Sequence, residues 1–401
     1  MDQIDQWLRD NRIEEVEGVV PDMSGIARGK FVPAKKFSKE EGMRLPESIF
    51  IQSVNGEFVM EPVISMADRD MVVRPDVNTL ATVPWATDPT ASVIQDCFHF
   101  DGSPVEIAPR YVLKRVLAMY EEQGLKPVVA PEVEFYLVKP NVDPDYPLEP
   151  PVGRSGRATA RQPYSIDAVN EFEPLFEEIY DFCEAQEIEV DTLIHEAGAA
   201  QVEINFLHGD PLSLADQVFR FKRTAREAAM RHDVYATFMA KPMAQEPGSA
   251  LHLHQSVVRI DDNSNIFSNP DGSPSDNFHH FIGGQQEYIP KALLLFAPYV
   301  NSYRRFARHL SAPINIQWGH DNRTVGLRVP ESSPKDRRVE NRVAGADVNP
   351  YLAIAGSLLA GFLGLKKQIK PKPAVIGSAY DLPHNLSRDM FIAMDLFNNS
   401  V

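Results

Sequence analysis

Between Asn322 and Tyr351 the chain reads NRTVGLRVPESSPKDRRVENRVAGADVNPY. This segment carries Arg323, Arg328, Arg337, Arg338 and Arg342, with one acid, Glu340, set between two of them. Any fold built on it must supply these guanidiniums with anions or with water. Arginine offers a rigid fork of donors that matches phosphate and carboxylate. Glu340 can answer to Arg338 and Arg342 or to a metal. Arginines beside a metal-ready carboxylate are what phosphoryl transfer to a carboxylate substrate needs. The competing reading is a solvated, charge-rich loop.

The 401 residues suffice for two domains or one large one. An apolar content of 43% and a charged content of 24% suit a soluble globular chain. A net charge of −16 argues against a nucleic-acid partner and against an anionic membrane surface, since both favour basic patches. Cys97 and Cys183 form no CxxC pair, so neither a disulfide framework nor a zinc ribbon is implied, and a reducing cytoplasm fits. The acidic, amphipathic start MDQIDQWLRD does not read as a signal peptide. The longest apolar stretch, Tyr351 to Leu365, is too short to span a bilayer. It reads as a buried helix whose small residues permit close packing.

Residues 1–102 read as a small α+β unit, with a helix over Ile4 to Asn11 and strands over Val16 to Val20 and Lys30 to Pro33. A boundary near Asp101 to Pro104 leaves 103–401 as a larger domain. There the spacing of Val112, Leu113, Val116, Leu117 and Tyr120 predicts a helix from Pro109 to Gln123, stopped by Gly124. A strand over Val128 to Val138 follows, then a Pro-, Gly- and Arg-rich excursion from Lys139 to Pro163. Further helices are expected over 167–187 and Leu212 to Arg231, and strands over 188–194, 236–241 and 251–259. The terminal MFIAMDLFNNSV reads as a helix without a downstream partner, which leaves room for further chain.

Four groups of residues could carry chemistry. Glu132 and Glu134, in APEVEFYLV, project from one strand face, where two like charges call for a cation between them. The alternative is a solvent-facing edge strand. In IHEAGAAQVEINF, His195 and Glu196 are followed by Gln201 and Glu203; a Gly/Ala-rich turn can bring both Glu side chains to one point, or these are ordinary hairpin polar residues. His252 and His254, in PGSALHLHQS, share a strand face and are either metal ligands or structural. With glutamates beside them, Mg²⁺ or Mn²⁺ is favoured over zinc. NSYRRF adds Arg304 and Arg305, as part of an anion clamp or as a solvated basic helix end. No GxxxxGK[ST] occurs, so any ATP site here is not a P-loop.

In this order, RGK (Arg28 to Lys30), EVE, HEAGAAQVE, KP…GSALHLH, NSYRR, NR…LRVP, RRVENR and NPYL resemble the motifs of the glutamine synthetase family. The resemblance covers most of the chain. It implies an α+β fold: a β-grasp-like N-terminal domain, then a catalytic domain with a curved antiparallel sheet flanked by helices. It implies ATP and two or more divalent cations (Mg²⁺ or Mn²⁺) per site. By motif, Glu134, Glu196 and Glu203 resemble one metal's ligands, and Glu132, His252 and Glu340 the other's. His254, Ser256, Arg323 and Arg338 match nucleotide- and phosphate-facing positions. Gly248, Arg305, Arg328 and Arg342 match positions around glutamate and the transferred phosphate, with His252 on the same side. The implied partners are glutamate, an amine, ATP and other copies of the chain, assembled in a dodecamer of two hexameric rings with sites between subunits.

The departures point to a branch. Family members that use ammonium carry an acid just before the Ala-Pro that follows NSYKR; here HLSAP has Ser311. Serine neither attracts ammonium by charge nor accepts its proton near neutral pH. No Asp follows Phe50 in FIQSVNGE, and Pro247 and Ala250 stand where Asn and Gly are usual. The combination resembles the γ-glutamylpolyamine (γ-glutamylputrescine) synthetase branch, in which a larger amine replaces ammonia. An alkylammonium has a pKa of about 10, so its proton needs an acceptor; Glu57 is one candidate, or simply a solvated loop residue. Tyr380 resembles a tyrosine that some family members adenylylate, but reads as a packed or solvent-facing loop residue without that control. A glutamine synthetase, a non-catalytic relative and a metal-dependent amidohydrolase are the competing readings.

Overall fold

The computed structural model describes residues 2–37, 43–59, 64, 67–143, 145–308 and 311–400. His309 and Leu310 of HLSAP lie outside the described residues.

The first part carries helices α1 (Asp2–Asp10) and α2 (Ala34–Phe37) and strands β1 (Glu15–Pro21), β2 (Ala27–Pro33), β3 (Met43–Pro46), β4 (Asp70–Pro75), β5 (Ala81–Thr82) and β6 (Thr90–Phe98). They form a sheet in the order β2-β1-β6-β4-β3, with β5 also on β6. Only β1 and β6 run parallel; the other pairs are antiparallel. Its core contains Ile4, Leu8, Val16, Val20, Met71 and Val93, so α1 is held by one apolar stripe on an otherwise charged helix.

The larger part carries α3 (Pro109–Glu121), β7 (Leu125–Val138), α4 (Ile166–Asn170), α5 (Glu173–Ala185), β8 (Val190–His195), β9 (Gln201–Phe206), α6 (Pro211–Arg231), β10 (Tyr235–Thr237), β11 (Leu251–Arg259), α7 (Asp276–Tyr288), β12 (Trp318–His320), β13 (Leu327–Val329), β14 (Val339–Asn341), α8 (Pro350–Lys367) and α9 (Met390–Asn398). The strands order as β12-β13-β14-β11-β7-β9-β8, with β10 also on β7. All pairs but β12/β13 are antiparallel. The architecture is α+β.

Strand alternation decides which face carries chemistry. On β7, Val133, Phe135 and Leu137 are fully buried in the core, where Phe135 packs on Phe221 and Phe238 at ring distances of 6.0 and 5.3 Å. Glu132, Glu134 and Tyr136 therefore share the opposite face. On β11, Leu251, Leu253 and Val257 enter the core, which puts His252, His254 and Ser256 on that same opposite face. Behind the sheet, α8 packs closely on α7. A side chain at Gly284 would stand 2.3 Å from the Ala360 carbonyl, so the approach requires glycine there.

Polar contacts tie the two sheets together. Buried Arg110 on α3 binds Asp76, Asp96 and Asp216 at 2.7 to 3.0 Å. Asn349, which caps α8, donates to the Asp22 carbonyl at 2.8 Å.

Three expectations need correction. The helix expected over 167–187 is two helices, α4 and α5, parted at Glu171 and Phe172. Pro174 sits in the first turn of α5, where it cannot accept a continuing helix from the residues before it. The strand expected over 236–241 ends at Thr237. Beyond it the backbone serves a loop: the Ala240 carbonyl accepts from Ser249 N and Lys241 N donates to the Asn301 side chain. The edge-strand alternative for Glu132 and Glu134 fails, because β7 lies between β11 and β9.

Candidate active site

Cross-strand register assembles the site. Directly opposite partners on a sheet stand about 5 Å apart at their β-carbons. Glu134 faces Glu203 across β7/β9, and Glu132 faces His252 across β7/β11. His254 faces Glu340 across β11/β14, and Arg328 faces Glu340 across β13/β14. Glu196 follows β8 in the hairpin whose turn places Ala200 at φ +58°. One sheet face thus carries a row of carboxylates, imidazoles and guanidiniums.

Three groups on this face can offer a metal one atom each, with all atoms within 4.8 Å of one another: Glu134–Glu196–Glu203, Glu132–Glu203–His252 and Glu132–His254–Glu340. The first is the set expected from sequence. The second expected set, Glu132–His252–Glu340, is distributed over two groups. His252 Nδ1 is 3.2 Å from Glu132 and 3.9 Å from Glu340, while His254 Nε2 approaches Glu132 to 2.7 Å. His254 Nδ1 accepts from Arg338 Nε at 3.2 Å, so Nε2 carries the proton donated to Glu132.

The arginines divide by role. Glu340 accepts from Arg328 Nη1 at 2.9 Å and from Arg342 Nη1. Arg328 also reaches Asp321 at 2.6 Å. Arg305 is buried and donates to the carbonyls of Arg342 and Val343 at 2.9 and 2.8 Å, whereas Arg304 is exposed. Arg323 is exposed at the rim, close enough to act on the charge of Glu196. Arg337 is turned away, donating to Phe267 O, Ser268 Oγ and Gly272 O.

Burial and charge act in opposite directions along the row. Burial raises the pKa of Glu134, and Glu196 raises it further. Burial also raises Glu203, helped by Glu132, Glu134 and Glu196. Glu196 rises mainly through burial, against the pull of Arg342. At Glu340 burial is outweighed by Arg342, His252 and His254, which hold it down at about 2. At Glu132 burial is likewise outweighed by the hydrogen bonds with His252 and His254, and its pKa falls. Burial and Arg342 press His252 down to about 4, so its imidazole is neutral and free to ligate. Two buried carboxylates and one half-buried, all with raised pKa values and hard oxygen donors, fit a divalent cation of the Mg²⁺ or Mn²⁺ type.

Two side chains outside the candidate ligand sets brace this group. Gln201 Nε2 donates to Glu134 Oε2 and to the Gly248 carbonyl, both at 3.1 Å. Tyr136 donates its hydroxyl to the Pro247 carbonyl at 2.9 Å. Tyr136 shares the face of Glu134 by the period of two, a signal the sequence held. Gln201 shares the face of Glu203 on β9 by the same period, but its hydrogen bond to Glu134 depends on how β9 pairs with β7. The loop is tight at Gly248, where a side chain would meet Arg305 Cγ at 2.6 Å.

Beside the row opens a cavity of about 510 Å³, bordered by Glu132, His254, Ser256, Lys335 and Arg338 and by apolar Val129 and Leu207. Ser311 lies in an exposed loop with φ +64°. Glu57 is exposed. Tyr380 is buried and donates to the Ala312 carbonyl at 3.1 Å.

The order of motifs and this geometry have counterparts in known proteins. The family model described as glutamine synthetase, catalytic domain, matches residues 106–400. γ-Glutamylputrescine synthetase of Escherichia coli (strain K12) is 36% identical, over 91% of this chain and 79% of its own. Glutamate–isopropylamine ligase of a Pseudomonas species is 32% identical, over 98% of this chain and 87% of its own. A glutamine synthetase of Pyrococcus horikoshii is 34% identical, over 96% and 81%. The solved structure of a GmaS/ADP complex aligns with a TM-score of 0.85 and 26% identity, over 100% of this chain and 90% of that one. With a catalytic-domain match across most of its length and its acids and arginines on one sheet face, the chain belongs to the glutamine synthetase family.

Proposed function

We propose that this chain joins an organic amine to the γ-carboxylate of glutamate at the expense of ATP, through γ-glutamyl phosphate. The observation that carries the reading is the convergence of Arg328 and Arg342 on Glu340, beside the paired carboxylates Glu134 and Glu203. Relatives named as ligases of putrescine, isopropylamine and ethanolamine support the same class.

In the first step a γ-carboxylate oxygen of glutamate attacks the γ-phosphorus of ATP, and ADP leaves. In the second the amine nitrogen attacks the acyl carbon, inorganic phosphate leaves, and the nitrogen loses a proton. Arg305 and the Gly248 loop would orient glutamate. Arg323, Arg328, Arg338 and Arg342 would face phosphate oxygens, where preorganised guanidiniums lower the barrier. His254 and Ser256 would border the nucleotide in the 510 Å³ cavity. Glu134, Glu196 and Glu203 would hold one divalent cation, and Glu132, His252 and Glu340 another; such cations offset charge on the phosphate oxygens when bound. Ser311 in place of an acid favours an amine that brings its own binding surface over ammonium. Glu57 remains our candidate proton acceptor, reaching a neighbouring copy's site. We further propose that residues 1–102 and 103–401 are separate domains, that the assembly is a dodecamer, and that it works in the cytoplasm. Among the described residues no helix is long and apolar enough to cross a membrane.

The test is phosphate release from ATP with glutamate, Mg²⁺ and a panel of ammonium, ethylamine, isopropylamine, ethanolamine, putrescine and spermidine. Turnover with one organic amine and little with ammonium is expected. Ammonium as the best substrate would make this a glutamine synthetase. Silence with every amine would overturn catalysis itself.

A further inference from the structure

The hairpin turn that carries Glu196 is held amide by amide. Glu196 N donates to the Gln201 carbonyl at 2.8 Å, Ala197 N to the Glu196 carboxylate at 3.1 Å and Gly198 N to the Gln201 side chain at 2.9 Å. These acceptors belong to the hairpin itself. The next one does not: Ala199 N donates to Glu246 Oε2 at 3.0 Å, across 47 residues of chain. Ala199 is buried, so its amide needs an acceptor from the protein.

Glu246 leads into Pro247 and Gly248, and this loop is tied down residue by residue. The Glu246 carbonyl accepts from Lys241 Nζ, the Pro247 carbonyl from the Tyr136 hydroxyl and the Gly248 carbonyl from Gln201 Nε2. Those bonds grip the backbone, whereas the Glu246 carboxylate reaches across to the hairpin turn. The loop has no slack at its far end, where a β-carbon on Gly248 would stand 2.6 Å from Arg305 Cγ. Releasing Glu246 therefore shifts the loop against Arg305.

Glu246 belongs to none of the three metal-ready groups. Its Oε2 also accepts from Arg161 Nε at 3.0 Å, and Arg161 Nη2 donates to the Gln245 carbonyl. Arg161 comes from the excursion between β7 and α4, and its side chain is half exposed. An ion pair so open to water contributes little. The bond from the buried amide is shielded and charge-assisted, so it is the stronger hold on this carboxylate.

We propose that Glu246 is a positioning residue, whose carboxylate locks the Gly248 loop to the hairpin carrying Glu196 and so fixes where glutamate sits relative to the metal group. This rests on the reading of Arg305 and the Gly248 loop as the glutamate side of the site. A small displacement there is enough to lose a productive geometry.

The test is a KM-against-kcat split on the full chain, using the best amine of the panel. Calorimetric titration of glutamate in Mn²⁺ adds a readout that needs no turnover. Glu246→Ala should raise the KM and Kd for glutamate about tenfold, the factor carried by one hydrogen bond to a charged group, with the KM for ATP unchanged. Glu246→Gln keeps the volume and an acceptor for Ala199 but loses the charge. It should raise both constants about threefold, because charge-assisted bonds are about twice as strong as neutral ones. This variant decides the matter even if Glu246→Ala folds poorly. Arg161→Met should change either constant by less than about twofold. A loss confined to kcat or to melting temperature in the Glu246 variants would make the residue structural only and overturn the proposal. An equal effect from Arg161→Met would overturn it too, by moving the hold to the excursion. A wild type that neither binds glutamate nor releases phosphate would overturn the reading beneath it as well, and the calorimetry tells that outcome apart from a failure at Glu246 alone.

Discussion

Two groups of carboxylates lie side by side on one sheet face and are opposites electrostatically. Burial raises the pKa values of Glu134, Glu196 and Glu203, and neighbouring carboxylates add to the rise, against the weaker pull of arginines at Glu134 and Glu196. Glu132 and Glu340 are as much enclosed by protein, yet histidines and arginines pull both down. Burial alone therefore does not fix a carboxylate's charge; the sign of its nearest neighbours does. The cation proposed above would complete the first group, whereas the second draws much of its counter-charge from the chain.

The strongest way to break this contrast is Glu134→Gln. The amide keeps an acceptor for Ala250 N but removes a charge from the first group. Phosphate release should fall about a thousandfold, equivalent to about 4 kcal/mol of lost metal assistance. In chelator the same variant should melt higher than the wild type, because repulsion is relieved. A variant with wild-type turnover and metal dependence would remove Glu134 from the ligands. Next in size is Arg342→Met, which strips the buried Glu340 of its nearest buried partner. Urea unfolding should show a loss of about 3 kcal/mol. If Arg328→Met costs as much, the difference between the enclosed and the half-buried arginine is not what holds Glu340.

A titration sharpens the contrast without mutation. Glu134 and Glu203 have native pKa values above the ordinary glutamate value of 4.5, so the native state binds more protons than the unfolded chain above that pH. Their contribution is fully present below 4.5 and lost as pH rises through the native values. In chelator, stability should therefore decline as pH rises from mildly acid to neutral. Saturating Mn²⁺ should reverse the decline and add about 2.7 kcal/mol at a hundredfold excess over Kd. Unchanged melting with Mn²⁺ would contradict the cation reading. The smallest effect is expected for Tyr136→Phe, which frees the Pro247 carbonyl beside the Gly248 loop. It should cost about 1 kcal/mol in stability and raise the KM for glutamate more than it lowers kcat.

Much of this site could be anticipated from local pattern. The spacing of Glu132, Glu134 and Tyr136, and of His252, His254 and Ser256, assigns each trio to one strand face. Alternation around Glu340 likewise gives Arg338 and Arg342 its face and Arg337 the other, and Arg337 does bond elsewhere. Pattern was silent on pairing. That His254 stands opposite Glu340 while His252 stands opposite Glu132 depends on the register of β11 with β14 and β7. The break between α4 and α5 was available in Pro174 but hidden by an apolar periodicity that runs through it.

The sequence by itself determined which chemical groups are present, in what order, and which side of each strand carries them, because side-chain alternation is a property of a single strand. The tertiary structure alone decided their charge. Glu132 and Glu134 are two residues apart and chemically identical, yet one is pulled down and the other pushed up. Besides burial, the difference comes from residues distant in the chain, the histidines of β11 at Glu132 and Glu196, after β8, at Glu134. Electrostatic neighbours are set by distance in space, and only folding sets that.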